Sequence, residues 1–160
     1  MNTDNGFISF SYFLFTLNYL AFIVRSEIGS LFACKNRTMQ NCSRKILVVD
    51  DEDLLRWSLT RFLESEGFDA YEAEGGHKAL EILESNPISV MITDLMMPEM
   101  DGIELIRIAI DKTPELFVLV ITAADSSHLV TSAQDAGALK IFSKPLSFSD
   151  IAGTINSLLI

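Results

Sequence analysis

From residue 45 onward the chain alternates between two kinds of apolar run, and this alternation restricts its possible folds more than any other feature. FDAYEA (68–73) and LKIF (139–142) are short strand candidates, whereas KILVVD (45–50), ISVMITD (88–94) and LFVLVIT (116–122) are runs rich in Val, Ile and Leu. Runs of this kind fit strands covered on both faces. Between them, apolar residues return at helical spacing. Leu55, Leu59, Phe62 and Leu63 form the first set, Ala79, Leu80 and Leu83 the second, and Ile103, Ile106 and Ile110 the third. Leu129, Val130, Ala133 and Ala136 make a fourth, and Ile151, Ile155, Leu158 and Leu159 a fifth. Gly67 and Gly137 stand where helices stop, and Pro87 and Pro114 where they break. Five strands and five helices in strict alternation predict an α/β fold. Its sheet is parallel, with helices on both faces and right-handed crossovers.

Ligands of such sheets bind beyond the carboxyl ends of the strands. Four of the five ends carry a reactive group. The first run ends in Asp50-Asp51, the third in Asp94 and the fourth in Thr122, and the fifth is followed by Lys144-Pro145. Each has an ordinary explanation alone. Asp50 and Asp51 are good helix caps, Asp94 starts a turn, Thr122 is a β-branched strand residue, and Lys144 is a solvated lysine. Those explanations do not predict convergence on one edge of one sheet. Three neighbouring carboxylates repel unless a cation intervenes. With no His or Cys in the set, a hard divalent ion such as Mg2+ fits, since it takes one or two carboxylates, waters and phosphate oxygens. Lys144 and the Thr122 hydroxyl add a fixed cation and a donor for phosphoryl oxygens. The set describes phosphoryl transfer to an aspartate.

These residues resemble the receiver domain of two-component response regulators. ILVVDDE, ITDLMMPEMDG, VLVITA and FSKPL occur in that family's order and spacing across roughly 45–160. The resemblance implies a flavodoxin-like, doubly wound sheet of strand order 2-1-3-4-5 with five helices. It implies that Asp94 is the phosphoacceptor, served by a sensor histidine kinase or phosphotransfer protein. Asp51, Asp94 and the Met96 backbone carbonyl would hold Mg2+, with Asp50 acting through a metal-bound water. Lys144 would pair with the phosphoryl group, Thr122 would turn to hydrogen-bond it, and Ala123 would keep access open. The Lys144-Pro145 bond is expected to be cis. The only catalysis implied is that of the protein's own phosphorylation and dephosphorylation. Output is expected through contact with an unknown downstream protein, on a face formed by 124–136, 139–142 and the last helix. A homodimer is allowed. If the sequence is complete, the lack of a linker, helix-turn-helix or P-loop after the last helix makes a stand-alone receiver the expectation. DLLRWSL (53–59), reminiscent of receivers attached to sigma-54-dependent activators, leaves a fragment of a longer regulator as the alternative.

One departure is plain. Receivers usually carry Tyr or Phe three residues before the lysine, and here that switch position is Ile141. Phe142 is the next residue, and strand alternation sends it to the opposite face. Met96 and Ala124, at positions that often tune phosphoryl lifetime, are both apolar, so a long-lived acyl phosphate is expected. Two rival classes remain. A haloacid-dehalogenase-type phosphatase also uses a strand-end Asp, Mg2+, Thr and Lys, but its DxDx[TV] signature is not met by Asp51-Glu52-Asp53-Leu54-Leu55. A degenerate receiver would bind partners without taking phosphate. His77 and His128 read as surface residues.

Composition sets a boundary near residue 44. From Arg44 to Ile160 there are 9 Lys+Arg and 20 Asp+Glu, a balance of −11. An acidic segment without a basic stripe argues against nucleic acid as the partner. Residues 1–43 differ, because 7–24 hold 18 residues without a charge. That is long enough for a membrane anchor, and the following Arg25, Lys35 and Arg37 would leave the receiver segment (44–160) in the cytoplasm. A misassigned start before Met39 and a soluble or interfacial helix are the alternatives. Asp4 and the lack of an early Lys or Arg make it a poor signal peptide. Cys34 and Cys42, eight apart, match neither a redox pair nor half a zinc site and read as free cytosolic thiols.

Overall fold

A computed structural model describes residues 44–123 and 127–159. In chain order the elements are β1 (Lys45–Val49), α1 (Asp53–Ser65), β2 (Asp69–Ala73), α2 (Gly76–Ser85) and β3 (Val90–Asp94). They continue with α3 (Gly102–Lys112), β4 (Phe117–Thr122), α4 (Ser127–Ala136), β5 (Lys140–Ser143) and α5 (Phe148–Leu158). The five strands form one parallel sheet of order β2-β1-β3-β4-β5. This is the flavodoxin-like arrangement expected from the resemblance. The hydrophobic stretch 7–24, the two cysteines and Ala124 lie outside the described residues. Among the described residues no helix is long and apolar enough to cross a membrane.

The continuous apolar runs have a direct cause. β1, β3 and β4 are the central strands and are buried almost throughout. Their alternate residues feed two separate cores. Leu47, Val49, Met91, Val118 and Val120 pack with Ala79, Leu105, Ile106, Ala109 and Ala133 on the face covered by α2, α3 and α4. Ile46, Val48, Val90, Ile92, Leu119 and Ile121 pack with Leu59, Leu63, Ile151 and Ile155 on the face covered by α1 and α5. The predicted edge-strand residues Ile141 and Phe142 do separate, Ile141 to the first core and Phe142 to the second. In α3 the deepest face is Leu105, Ile106 and Ala109, with Ile103 and Ile110 only partly covered. Gly67 and Gly137 end their helices with φ of 85° and 112°, values an L-residue rarely adopts.

Register sets the site. Val49 pairs with Thr93, so the next residues, Asp50 and Asp94, come level on adjacent strands. Asp94 pairs with Ile121, and Thr122 with Ser143. The four reactive positions therefore lie along one edge of the sheet. Asp50, read from sequence as the end of the first run, sits one residue beyond β1.

Candidate functional site

Asp50 is fully buried, and three of its four polar connections pin the β1–α1 corner. Its amide donates to the Ala73 carbonyl at 3.2 Å, and its Oδ1 accepts the Glu52 amide at 2.7 Å. Its carbonyl accepts from Arg56 Nη1 at 2.6 Å. Helix capping is not its role, because the N-cap of α1 is Glu52, which makes no side-chain cap bond. Asp51 projects to solvent, and no hydrogen bond or ion pair joins its carboxylate to another described residue. Asp94 ends β3 and is 6% exposed. Its Oδ1 accepts the amides of Leu95 and Met96, a local turn that fixes the carboxylate at the strand mouth. Its other oxygen faces Lys144.

Lys144 Nζ lies 2.8 Å from Asp94 Oδ2 and 3.4 Å from Asp50 Oδ2. Its backbone amide donates to the Thr122 carbonyl at 2.9 Å, tying the exits of β4 and β5 together. The Lys144-Pro145 peptide is cis, as expected. Thr122 is buried at the end of β4, and Ala123 beyond it is exposed. Met96, two residues past Asp94, is 68% exposed. Ile141 is half-buried in β5. His77 and His128 are both exposed on helices.

The electrostatics follow from burial. Loss of water pushes the Asp50 carboxyl above the ordinary carboxylate range, against the Glu52 amide and the Lys144 charge, which pull it down. Burial pulls Lys144 down, but its bond to Asp94 and the charges of Asp50 and Asp94 outweigh this. Its pKa is raised. One ammonium thus serves two carboxylates at a site where a third, Asp51, stands ready in solvent.

These donors fit a hard cation. All are oxygen, and the carboxylate charge exceeds what Lys144 neutralises. Among the described residues no three acidic, His or Cys side chains converge closely enough to hold an ion by themselves. A site of one or two carboxylates completed by water and phosphate oxygens is what Mg2+ takes.

Sequence reading overlooked two residues of this edge. Arg56, 12% exposed, bonds to the Asp50 carbonyl and to Asp53 Oδ1 at 2.6 Å each, and its Nε lies 3.6 Å from Glu72. Only the observed start of α1 at Asp53 swings it back over the end of β1. Gly102 opens α3 and closes the loop after Asp94, its amide donating to the Leu95 carbonyl at 2.9 Å. The Asp-Gly pair reads as turn chemistry. In the fold Asp101 caps α3 by accepting the Glu104 amide at 2.8 Å.

The sequence profile of the response regulator receiver domain matches residues 46–156. The chain belongs to that family. It is 34% identical over 117 residues to the response regulator receiver protein CpdR of Brucella abortus, covering 73% of this chain and 98% of that protein. It is 36% identical over 102 residues to a cyclic di-GMP phosphodiesterase of Thermotoga maritima. That match covers 64% of this chain but spans only 27% of the relative's length. Among solved structures, the beryllofluoride-activated NtrC4 receiver domain dimer superposes with a TM-score of 0.68 at 30% identity. The match covers 72% of this chain and 96% of that one. A receiver of this kind is consistent with two-component signalling.

Proposed function

We propose that this receiver takes a phosphoryl group on Asp94 from a phosphohistidine of a sensor kinase or phosphotransfer protein. A carboxylate oxygen of Asp94 attacks phosphorus, the phosphorus–nitrogen bond breaks, and the departing imidazole takes up a proton. The observation that carries this reading is the Lys144 ammonium, 2.8 Å from Asp94 and 3.4 Å from Asp50 at the strand-end edge. Lys144 leaves Asp50 and Asp94 partly neutralised before transfer and meets the phosphoryl oxygens after it. The Asp94 oxygen that accepts two backbone amides stays fixed, which leaves the oxygen facing Lys144 as the nucleophile. Asp51, Asp94 and the Met96 carbonyl are the residues to hold Mg2+ directly, with Asp50 behind a water. When bound, the ion supplies positive charge that offsets the carboxylates and draws phosphoryl oxygens to the edge. Thr122 provides a hydroxyl for those oxygens, and exposed Ala123 leaves them room.

Output is by protein contact from a cytoplasmic receiver, with Ile141 in place of an aromatic switch. Homodimerisation on phosphorylation is one form of that contact. Incubation of the protein with acetyl phosphate and Mg2+, read by intact mass, tests the reading. Wild type is expected to gain one phosphoryl group, lost on Asp94→Asn and in EDTA. Wild-type protein that stays unmodified while a known receiver is labelled refutes it.

A further inference from the structure

We infer that Arg56 is a positioning residue that sets the divalent-cation affinity of the strand-end carboxylates by holding the β1–α1 corner in place. The inference rests on the phosphoacceptor reading above. All three guanidinium nitrogens are engaged, each facing a different part of the fold. Nη1 donates to the carbonyl of Asp50 just past β1, Nη2 to Asp53 in the first turn of α1, and Nε faces Glu72 of β2. The side chain is 12% exposed, although its partner Asp53 is 90% exposed. A surface ion pair does not need a buried arginine. A fork that closes a corner does, because only a planar guanidinium offers several donors in fixed directions.

The corner it closes bears Asp50 and Asp51. Asp50 is anchored at its amide and at Oδ1, and Arg56 supplies the third point, at the carbonyl that belongs to the Asp50–Asp51 peptide. With that carbonyl fixed, the peptide plane is fixed, and so is the direction in which Asp51 leaves the chain. No protein partner among the described residues orients the Asp51 carboxylate itself. Its aim therefore depends on the backbone behind it, and Arg56 is the side chain that holds that backbone.

This role and a simple charge effect predict opposite signs. Arg56 is a cation beside acidic residues. If it acted only through its field, removing it would make the edge more negative and tighten the binding of Mg2+. If it positions Asp50 and Asp51, removing it loosens the ligands and weakens binding. Loss of a group that orients metal ligands commonly costs about 10- to 100-fold in affinity.

The experiment is a Mg2+ titration followed by the fluorescence of Trp57, the single tryptophan, which neighbours Arg56 on α1 and is 54% exposed. Arg56→Ala, Arg56→Gln and Arg56→Lys are compared with wild type, each checked for folding by its thermal melt. All three are expected to shift the Mg2+ midpoint upward by about tenfold or more. Lysine fails to rescue because it keeps the charge but not the fork. In acetyl phosphate labelling the Mg2+ requirement rises, while the rate at saturating Mg2+ stays near that of wild type. A midpoint that is unchanged or lower in the folded variants, or one restored by lysine, overturns the inference. Should alanine prevent folding, the glutamine and lysine variants decide. Wild-type protein that neither binds Mg2+ nor takes phosphate overturns the underlying reading instead, so the two failures are distinct.

Discussion

Gly102→Ala should destabilise the protein even though it places a better helix former at the start of α3. A Cβ built on Gly102 lies 2.7 Å from the Cα of Leu95 and 3.0 Å from the carbonyl carbon of Asp94, and it also falls on the Asp94 carbonyl oxygen. The first distance is about 0.8 Å short of an optimal carbon–carbon contact of about 3.5 Å. All three atoms are backbone, so no side chain can swing aside. Overpacking of this kind costs about 1–3 kcal/mol, and an immovable neighbour places it at the upper end. Alanine's helix propensity returns at most about 1 kcal/mol. The net loss is about 2 kcal/mol, or a fall of about 8 °C in Tm for a domain of this size. Gly153 is the matched control. It lies within α5, is exposed, and has nothing within 4 Å of a built Cβ, so Gly153→Ala should raise Tm by a few degrees. Thermal melts by circular dichroism measure both. Gly102→Ala should also slow acetyl phosphate labelling, because relief of the clash displaces the Asp94–Leu95 backbone. A Gly102→Ala protein that melts at or above wild type and labels at the same rate would refute the reasoning.

The remaining tests address the charges at the same edge. In metal-free buffer, Asp50→Asn should raise stability by about 0.5–2 kcal/mol while abolishing Mg2+-dependent labelling, a common trade between stability and activity. The Asp50 pKa is raised on folding, so its cost is absent below the unfolded value of 3.8 and grows as pH rises through the folded value. The Tm advantage of the asparagine variant should therefore shrink toward pH 4, and an advantage that is level across pH counts against a burial penalty. Lys144→Met leaves buried Asp50 and Asp94 without their shared cation, so Tm should fall and labelling with it. The Lys144 contribution is fully present below pH 10.5 and lost as pH rises through its raised value. Alkaline melts should show wild type and Lys144→Met converging. Met96→Asn combined with Ala124→Glu adds polar groups able to place an attacking water, and should shorten the acyl phosphate lifetime. A wild-type decay faster than that of the double variant contradicts this.

Much of the fold was legible because burial on both sides of a sheet leaves an unmistakable run. ILVV (46–49) and VMIT (90–93) have no polar face because α1 and α5 cover one side and α2, α3 and α4 the other. Ile141 and Phe142 could be assigned to opposite faces from period two alone. Asp50, Asp94, Thr122 and Lys144 could be placed at strand ends, but their proximity is a matter of register, which only the pairing of Val49 with Thr93 and Asp94 with Ile121 supplies. Arg56 was invisible for a different reason. Its partners are a backbone carbonyl, a helix residue and a strand residue, and no spacing rule couples these three. In sequence the Asp101-Gly102 pair fits any turn, whereas the fold uses Gly102 for its missing side chain.

The contact between Lys144 and Asp50 joins residues 94 positions apart in the chain. Lys144 follows β5, the last strand to leave the ribosome. A nascent chain that already holds β1, β3 and β4 has its acidic residues but not the ammonium that offsets them. Until that lysine arrives, like charges at the sheet mouth oppose the closing of the edge. Completion of the sheet and the offsetting of charge at its acidic edge are thus one event.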